Sequence, residues 1–76
     1  ADHMLMVTND DRPGVIGTVG TLLGAAGVNI ADMDVGRADE AGTAVMLIAP
    51  TSPVDPVTVD ALRAAPGILS VAALQA

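Results

Sequence analysis

The chain contains no cysteine, no lysine and no Phe, Tyr or Trp in 76 residues. Without cysteine no disulfide can staple the fold, and neither a thiolate nucleophile nor a cysteine-based metal centre is possible. The absence also fits a reducing, cytoplasmic setting. Without lysine or tyrosine there is no Schiff base and no phenolic acid. The lone imidazole, His3, lies near one end of the chain, where it is expected to be solvent-exposed. Ser52 and Ser70 have no base close to them in sequence. No catalytic constellation emerges, and the chain reads as non-catalytic.

Positive charge is scarce as well: Arg12, Arg37 and Arg63 stand against nine acidic residues, for a net charge of −6. Such a surface repels phosphate backbones and anionic lipid headgroups, which argues against nucleic-acid and membrane-surface partners. No apolar run approaches the ~18 residues of a membrane span, and no signal-peptide pattern is present. The expectation is a soluble, cytoplasmic protein. Small domains of about 60 residues bury only about 60% of the surface their unfolded chain exposes. With no aromatic side chains to enlarge its core, this chain is expected to gain stability from a partner subunit or from a longer protein. Residues 4–76 read as a single domain, and residues 1–3 as a tail or a linker to a preceding domain.

What is present is a clear order of elements. Residues 4–7 form a short apolar run read as a strand. From Val15 the apolar positions 15, 16, 19, 22, 23 and 26 share one helical stripe, and Gly27 supplies the stop. Residues 28–37 read as a second strand whose alternation slips, because Val28 and Ile30 share one parity and Met33 and Val35 the other. A bulge near Ala31 and Asp32 reconciles them. Residues 38–42 read as a polar turn and 43–49 as a third strand, ended by Pro50. Asp55 followed by Pro56 resembles a helix N-cap with proline in the first turn. Apolar residues 57, 61, 62 and 65 predict a second helix, closed by Pro66 and Gly67 before a last strand over 68–74. The order is βαββαβ, an α+β, ferredoxin-like pattern: a four-stranded antiparallel sheet with two helices on one face. Strands two and four are then the edges, which predicts a homodimer through a sheet edge or a helix contact.

The chemistry concentrates at the first turn. Glycines at 14, 17, 20, 24 and 27 follow neither a dinucleotide nor a phosphate-loop spacing. They predict a helix whose small flank lets another backbone come close, since each glycine inside a helix costs up to about 1 kcal/mol relative to alanine. Asp10-Asp11 and Asp32-x-Asp34 lack the converging oxygens that a hard cation needs, and read as solvated charges or turn caps. The backbone N–H groups of Gly14 and Val15 suit a carboxylate, and the carboxylates of Asp10 and Asp11 suit an ammonium. Asn29 adds an amide with both donor and acceptor. These features fit a free amino acid, and equally fit side chains that only cap turns.

The runs 9–17 (Asn-Asp-Asp-Arg-Pro-Gly-Val-Ile-Gly), 22–24 and 26–31 (Ala-Gly-Val-Asn-Ile-Ala), with Ala-Pro-Gly-Ile at 65–68, resemble an ACT domain. The likeness is to the regulatory domain at the C-terminus of bacterial D-3-phosphoglycerate dehydrogenases. It implies a module that pairs with a second copy and binds an amino acid, L-serine, at the interface. It also implies feedback inhibition in serine biosynthesis, acting on a distant active site whose NAD belongs to the parent enzyme; no cofactor is expected in this domain. Carried over by position, Asn9, Asp11 and Gly14 line one side of the pocket, Val15 and Ile16 shape it, and Asn29 of the facing copy lines the other side. In serine-responsive members a histidine stands where this chain has Asn9 and an asparagine where it has Asp11. The likeness casts Arg12 as a pin for the turn. Two other readings remain open: a ligand-free dimerisation module, and an acylphosphatase-like hydrolase using Arg12 with Asn29.

Overall fold

The computed structural model describes residues 3–37 and 42–75. Its elements are β1 (His3–Asp10), α1 (Val15–Ala25), β2 (Ile30–Arg37), β3 (Thr43–Pro50), α2 (Pro56–Ala64) and β4 (Ile68–Gln75). All strand pairs are antiparallel, in the spatial order β2-β3-β1-β4. This is the ferredoxin-like arrangement expected from sequence, with β2 and β4 at the edges. Of the expected polar turn over 38–42, residues 38–41 lie outside the described residues.

Register decides which side chains meet the helices. Leu5 pairs with Ile48 and Ala73, and Val7 pairs with Met46 and Val71. On that face they join Val15, Val19 and Leu23 of α1 and Val59 and Leu62 of α2 in one cluster. The side chains of Leu5, Val7, Val19, Leu23, Met46, Ile48 and Leu62 are fully buried. At about 1.5–3 kcal/mol each, they supply the main term opposing chain entropy. The expected bulge is present: the β2–β3 register shifts between Ile30 and Asp32, so Ile30 and Met33 both face the core. A second shift, between Thr8 and Asn9 against β4, was not legible in the alternation.

Both helices end as their sequences require. Gly27, at φ +76, lets the Val28 N–H fold back onto the Leu23 carbonyl at 2.9 Å, which closes α1. Asp55 caps α2, accepting from the Thr58 N–H at 2.7 Å with Pro56 in the first turn. The inward face of α2 differs from expectation. Thr58, Val59 and Leu62 are buried, whereas Val57 is 78% exposed. Leu62 belongs to both possible stripes, and pairing it with Val59 turns Ala61, Ala64 and Ala65 toward the groove between the helices.

Two other expectations fail. His3 is no loose end: it opens β1 opposite Gln75, is half-buried, and its Nδ1 is buried without a partner. The close approach expected along α1 does not occur within this chain, because a Cβ built on Gly17, Gly20 or Gly24 meets nothing within 4 Å. The outer face of the sheet is also unusually apolar for an antiparallel sheet with one open side. Met6 lies between Leu47 and Ala72, Met4 lies beside Leu74, and Met6, Leu47 and Leu74 are 39%, 40% and 51% exposed. Asp32 and Asp34 lie at its β2 rim, both exposed, and no cluster of three or more His, Asp or Glu that could hold a metal occurs among the described residues.

Leu62→Ala should destabilise the domain by about 2–5 kcal/mol, a large share of the stability available to so small a core; a denaturant midpoint close to wild type would show that α2 is not anchored there. The Thr58 hydrogen bond holds the Asp55 carboxyl below the ordinary aspartate range. A depressed pKa adds stability above the unfolded value that is lost as pH falls through the folded value. Asp55→Ala is therefore expected to lower the melting temperature at neutral pH, and the gap from wild type should close in strong acid. A gap independent of pH would contradict the cap.

Candidate functional site

The β1–α1 turn sits at the end of the sheet where β1 and β2 finish and β3 and β4 begin. It is tied on both sides by backbone bonds. The Asp10 N–H donates to the Gly67 carbonyl and the Asp11 N–H to the Gly42 carbonyl, each at 2.8 Å, and the Arg12 N–H donates to the Asp10 carbonyl at 2.9 Å. Arg12 Nη2 lies 3.5 Å from Asp10 Oδ2. Gly67, at φ +85, comes so close that a Cβ there would stand 2.9 Å from Val15 Cγ2 and 3.0 Å from Arg12 Nη2. The Arg12 guanidinium thus lies close to the 66–67 turn.

From this anchored turn α1 begins without a side-chain cap. Gly14 occupies the N-cap at φ +90, and the first helical turn carries no acidic residue. The N–H groups of Val15, Ile16 and Gly17 have no intrahelical acceptor, so the positive end of the helix is left open to an anion. Asn9, at the end of β1, is 3% exposed. Its Nδ2 donates to the Asp10 carbonyl at 2.8 Å, while its Oδ1 is buried with no partner. An acceptor left in that state costs about 1–3 kcal/mol.

The expected site residues divide into three groups. Asn9, Asp11, Gly14 and Val15 come together at this turn. Gly14 and Val15 line a cavity of about 380 Å³ with Arg12, Pro13, Thr18 and Pro66. A larger groove of about 790 Å³, between α1 and α2, reaches Gly14 as well but is apolar, and neither cavity is lined by Asn9 or Asp11. Ile16 is 47% exposed and lines neither cavity. Asn29 sits at the other end of the sheet: its carbonyl accepts from the Thr51 N–H at 2.9 Å and from Thr51 Oγ1 at 3.3 Å. The next residue, Ile30, pairs with Pro50, whereas Asn9 pairs with Ala44. That offset along β3 is roughly 20 Å at about 3.3 Å per residue. A single chain therefore does not bring Asn29 to the turn, and the Arg12–Asn29 pair of an acylphosphatase-like site does not assemble.

One residue escaped the sequence reading. Arg37 pairs with Ala44 on the strand between β2 and β1, and Ala44 pairs in turn with Asn9, so the three share a row and a face. The Arg37 side chain, 83% exposed, places Nε 3.2 Å from Asp11 Oδ2. Counting register back from the bulge in β2 would have revealed it.

Comparison with known proteins follows from this geometry. The sequence model of the ACT domain family matches residues 3–67. The D-3-phosphoglycerate dehydrogenase of Bacillus subtilis (strain 168) is 38% identical over 69 residues, covering 91% of this chain and 13% of that protein. The D-3-phosphoglycerate dehydrogenase of Synechocystis sp. is 44% identical over 52 residues, covering 68% of this chain and 9% of that protein. The chain thus spans only a small part of the relatives it matches. Among solved structures, the ACT domain from the GTP pyrophosphokinase of Chlorobium tepidum superposes with a TM-score of 0.74 at 15% identity, over 95% of each chain. A homoserine dehydrogenase from Thiobacillus denitrificans gives 0.77 at 13% identity, over 96% of this chain and 16% of that one. These two likenesses show the fold.

Gly67 and Gly42 both have positive φ, but a Cβ at Gly42 meets nothing within 4 Å. Gly67→Ala adds crowding against Val15 and Arg12 to the backbone strain, so it should destabilise by about 1–3 kcal/mol beyond Gly42→Ala. Equal losses on thermal unfolding would mean that the turn is not packed as described.

Proposed function

The chain belongs to the ACT domain family, and from that premise we propose that it is the L-serine-sensing regulatory domain, itself non-catalytic, of a cytoplasmic D-3-phosphoglycerate dehydrogenase. The observation that carries the reading is the uncapped start of α1, which follows a strand end where Asn9 Oδ1 is buried with no partner. An amino acid answers both. Its carboxylate suits the free N–H groups of α1, and its ammonium suits the Asn9 oxygen and the Asp11 carboxylate. The similarity to dehydrogenases of that name supports the choice of parent enzyme and, with it, of serine as the pathway product. On this reading the chain is the regulatory domain, and NAD binds in the parent enzyme rather than here.

The position of Asn29 gives this reading its geometry. β2 is an edge strand. When two copies pair antiparallel along it, the start of one β2 lies beside the end of the other. The partner's Asn29 then stands next to Arg37, at the end of the sheet that carries the β1–α1 turn. A homodimer thus brings Asn9, Asp11 and Gly14 together with the partner's Asn29, and ligand binding favours the arrangement of subunits that closes the pocket. Such a bias reaches a distant active site through movement of whole domains.

One observation favours a second reading, a ligand-free dimerisation module: Asp11 already has an ion-pair partner in Arg37. Thermal titration separates the two. A ligand that binds only the folded form stabilises it by about 2.7 kcal/mol at 100 times its Kd, which corresponds to a shift of roughly 10 °C or more for a domain of this size. L-serine is expected to produce that shift, and Asn29→Ala to reduce it strongly. If no amino acid in a panel moves the melting curve of a confirmed dimer, the dimerisation module is the correct reading.

A further inference from the structure

The outer face of the sheet, opposite the helices, has no cover within this chain. Register sets Leu47, Met6 and Ala72 side by side in one row, and Met4 beside Leu74 in the next. Scattered exposed apolar residues are ordinary, but a contiguous patch of them marks an interaction site. Both rows run into acid at the β2 rim, where Asp34 pairs with Leu47 and Asp32 with Ala49. The two carboxylates are exposed, and neither joins an ion pair among the described residues.

A second copy of the chain is a poor cover for this surface. All three arginines lie elsewhere: Arg12 at the β1–α1 turn, Arg37 in the helix-side row of Ala44, and Arg63 on α2. A second outer face therefore brings more carboxylate and no cation. Neither helix of a second copy serves, because α1 has no charged residue and Arg63 is already committed to Asp60 and the Val71 carbonyl. Pairing of two copies along β2 extends the sheet and leaves the face open. Nucleic acid and anionic lipid are repelled by the same carboxylates. The surface calls for a cover that is apolar at its centre and basic along one side.

The dimensions suit a helix. With side chains a helix is about 10 Å across, so it lies over β3 and β1, whose axes are about 4.8 Å apart. Residues four apart on a helix are separated by a rise of about 6 Å, and Asp32 and Asp34, two apart on a strand, by about 6.6 Å. Lysine or arginine at i and i+4 on the flank over β2 thus meets both carboxylates in register. We propose that the outer sheet face docks a basic amphipathic helix of a partner protein, its apolar stripe on Met6 and Leu47 and its cations on Asp32 and Asp34. This face is on the other side of the sheet from the core, and the proposal stands apart from amino-acid sensing.

Synthetic helices test it. An eight-residue strand such as β3 is about 26 Å long, the length of about 18 helical residues. Two Ala-rich peptides of that length, alike in a leucine stripe, would carry either lysine or glutamate at i and i+4 on one flank. Fluorescence anisotropy with the whole chain should show the lysine peptide binding at least about tenfold more tightly, since attraction is exchanged for repulsion at two positions. Asp32→Asn combined with Asp34→Asn should abolish that preference with the melting temperature nearly unchanged. Asp60→Asn, a charge removed from α2, should preserve it, and Leu47→Ser should weaken binding of the lysine peptide. Equal binding of the two peptides, binding of neither, or a preference that survives loss of both aspartates overturns the proposal. If Leu47→Ser halves the assembly mass in sedimentation and leaves peptide binding intact, a second copy covers the face instead.

Discussion

The lack of room for a Cβ at Gly67, against Val15 and Arg12, is the constraint on which the candidate site depends. A backbone without a Cβ lets the turn before β4 press against the guanidinium, and the Gly67 carbonyl takes the Asp10 N–H from the other side. Together these fix where β1 ends and α1 begins. The helix start can then remain uncapped and still be well placed, because its position does not depend on a capping side chain. An open helix N-terminus on a mobile turn would be a weak anion site. On a pinned turn it is pre-organised.

Much of the fold could be read from local chemistry. The parity slip between Ile30 and Met33 required a bulge, and the bulge is there. Asp55 with Pro56 specified a helix start, and Gly27 a helix end, through hydrogen bonds that depend on near neighbours alone. The failures involve contacts distant in sequence. Leu62 fits two helical stripes, and the one with Val59 rather than Val57 faces the core. Arg37 looked like one of three scattered cations until the β2–β3 register put it in a row with Ala44 and Asn9. Of the candidate site, Asn9, Asp11, Gly14 and Val15 were legible as one turn. Ile16 turned outward, and Asn29 belongs to the far end of the sheet.

The aliphatic core, small and free of aromatics, leaves two surfaces that one chain does not satisfy. One is the flank of α1, where Gly17, Gly20 and Gly24 lower helix propensity with no neighbour close by. The other is the outer sheet face, where Met6, Leu47 and Leu74 are about half exposed. Both accord with the expectation, made from size and composition, that this domain works within a larger assembly. The same economy concentrates chemistry: among the described residues, the acidic and basic side chains away from the turn either cap α2, brace it, or lie in solvent at the β2 rim.

The central claim is that an amino acid binds at the pinned start of α1. Amide chemical-shift mapping by NMR during titration with L-serine tests it most directly. The account predicts saturable shifts at the backbone N–H groups of Val15, Ile16 and Gly17 and at the Asn9 side-chain amide, with the α2 cap at Thr58 unmoved. Shifts confined to the groove along Ala61 and Ala64, with the start of α1 silent, would contradict it.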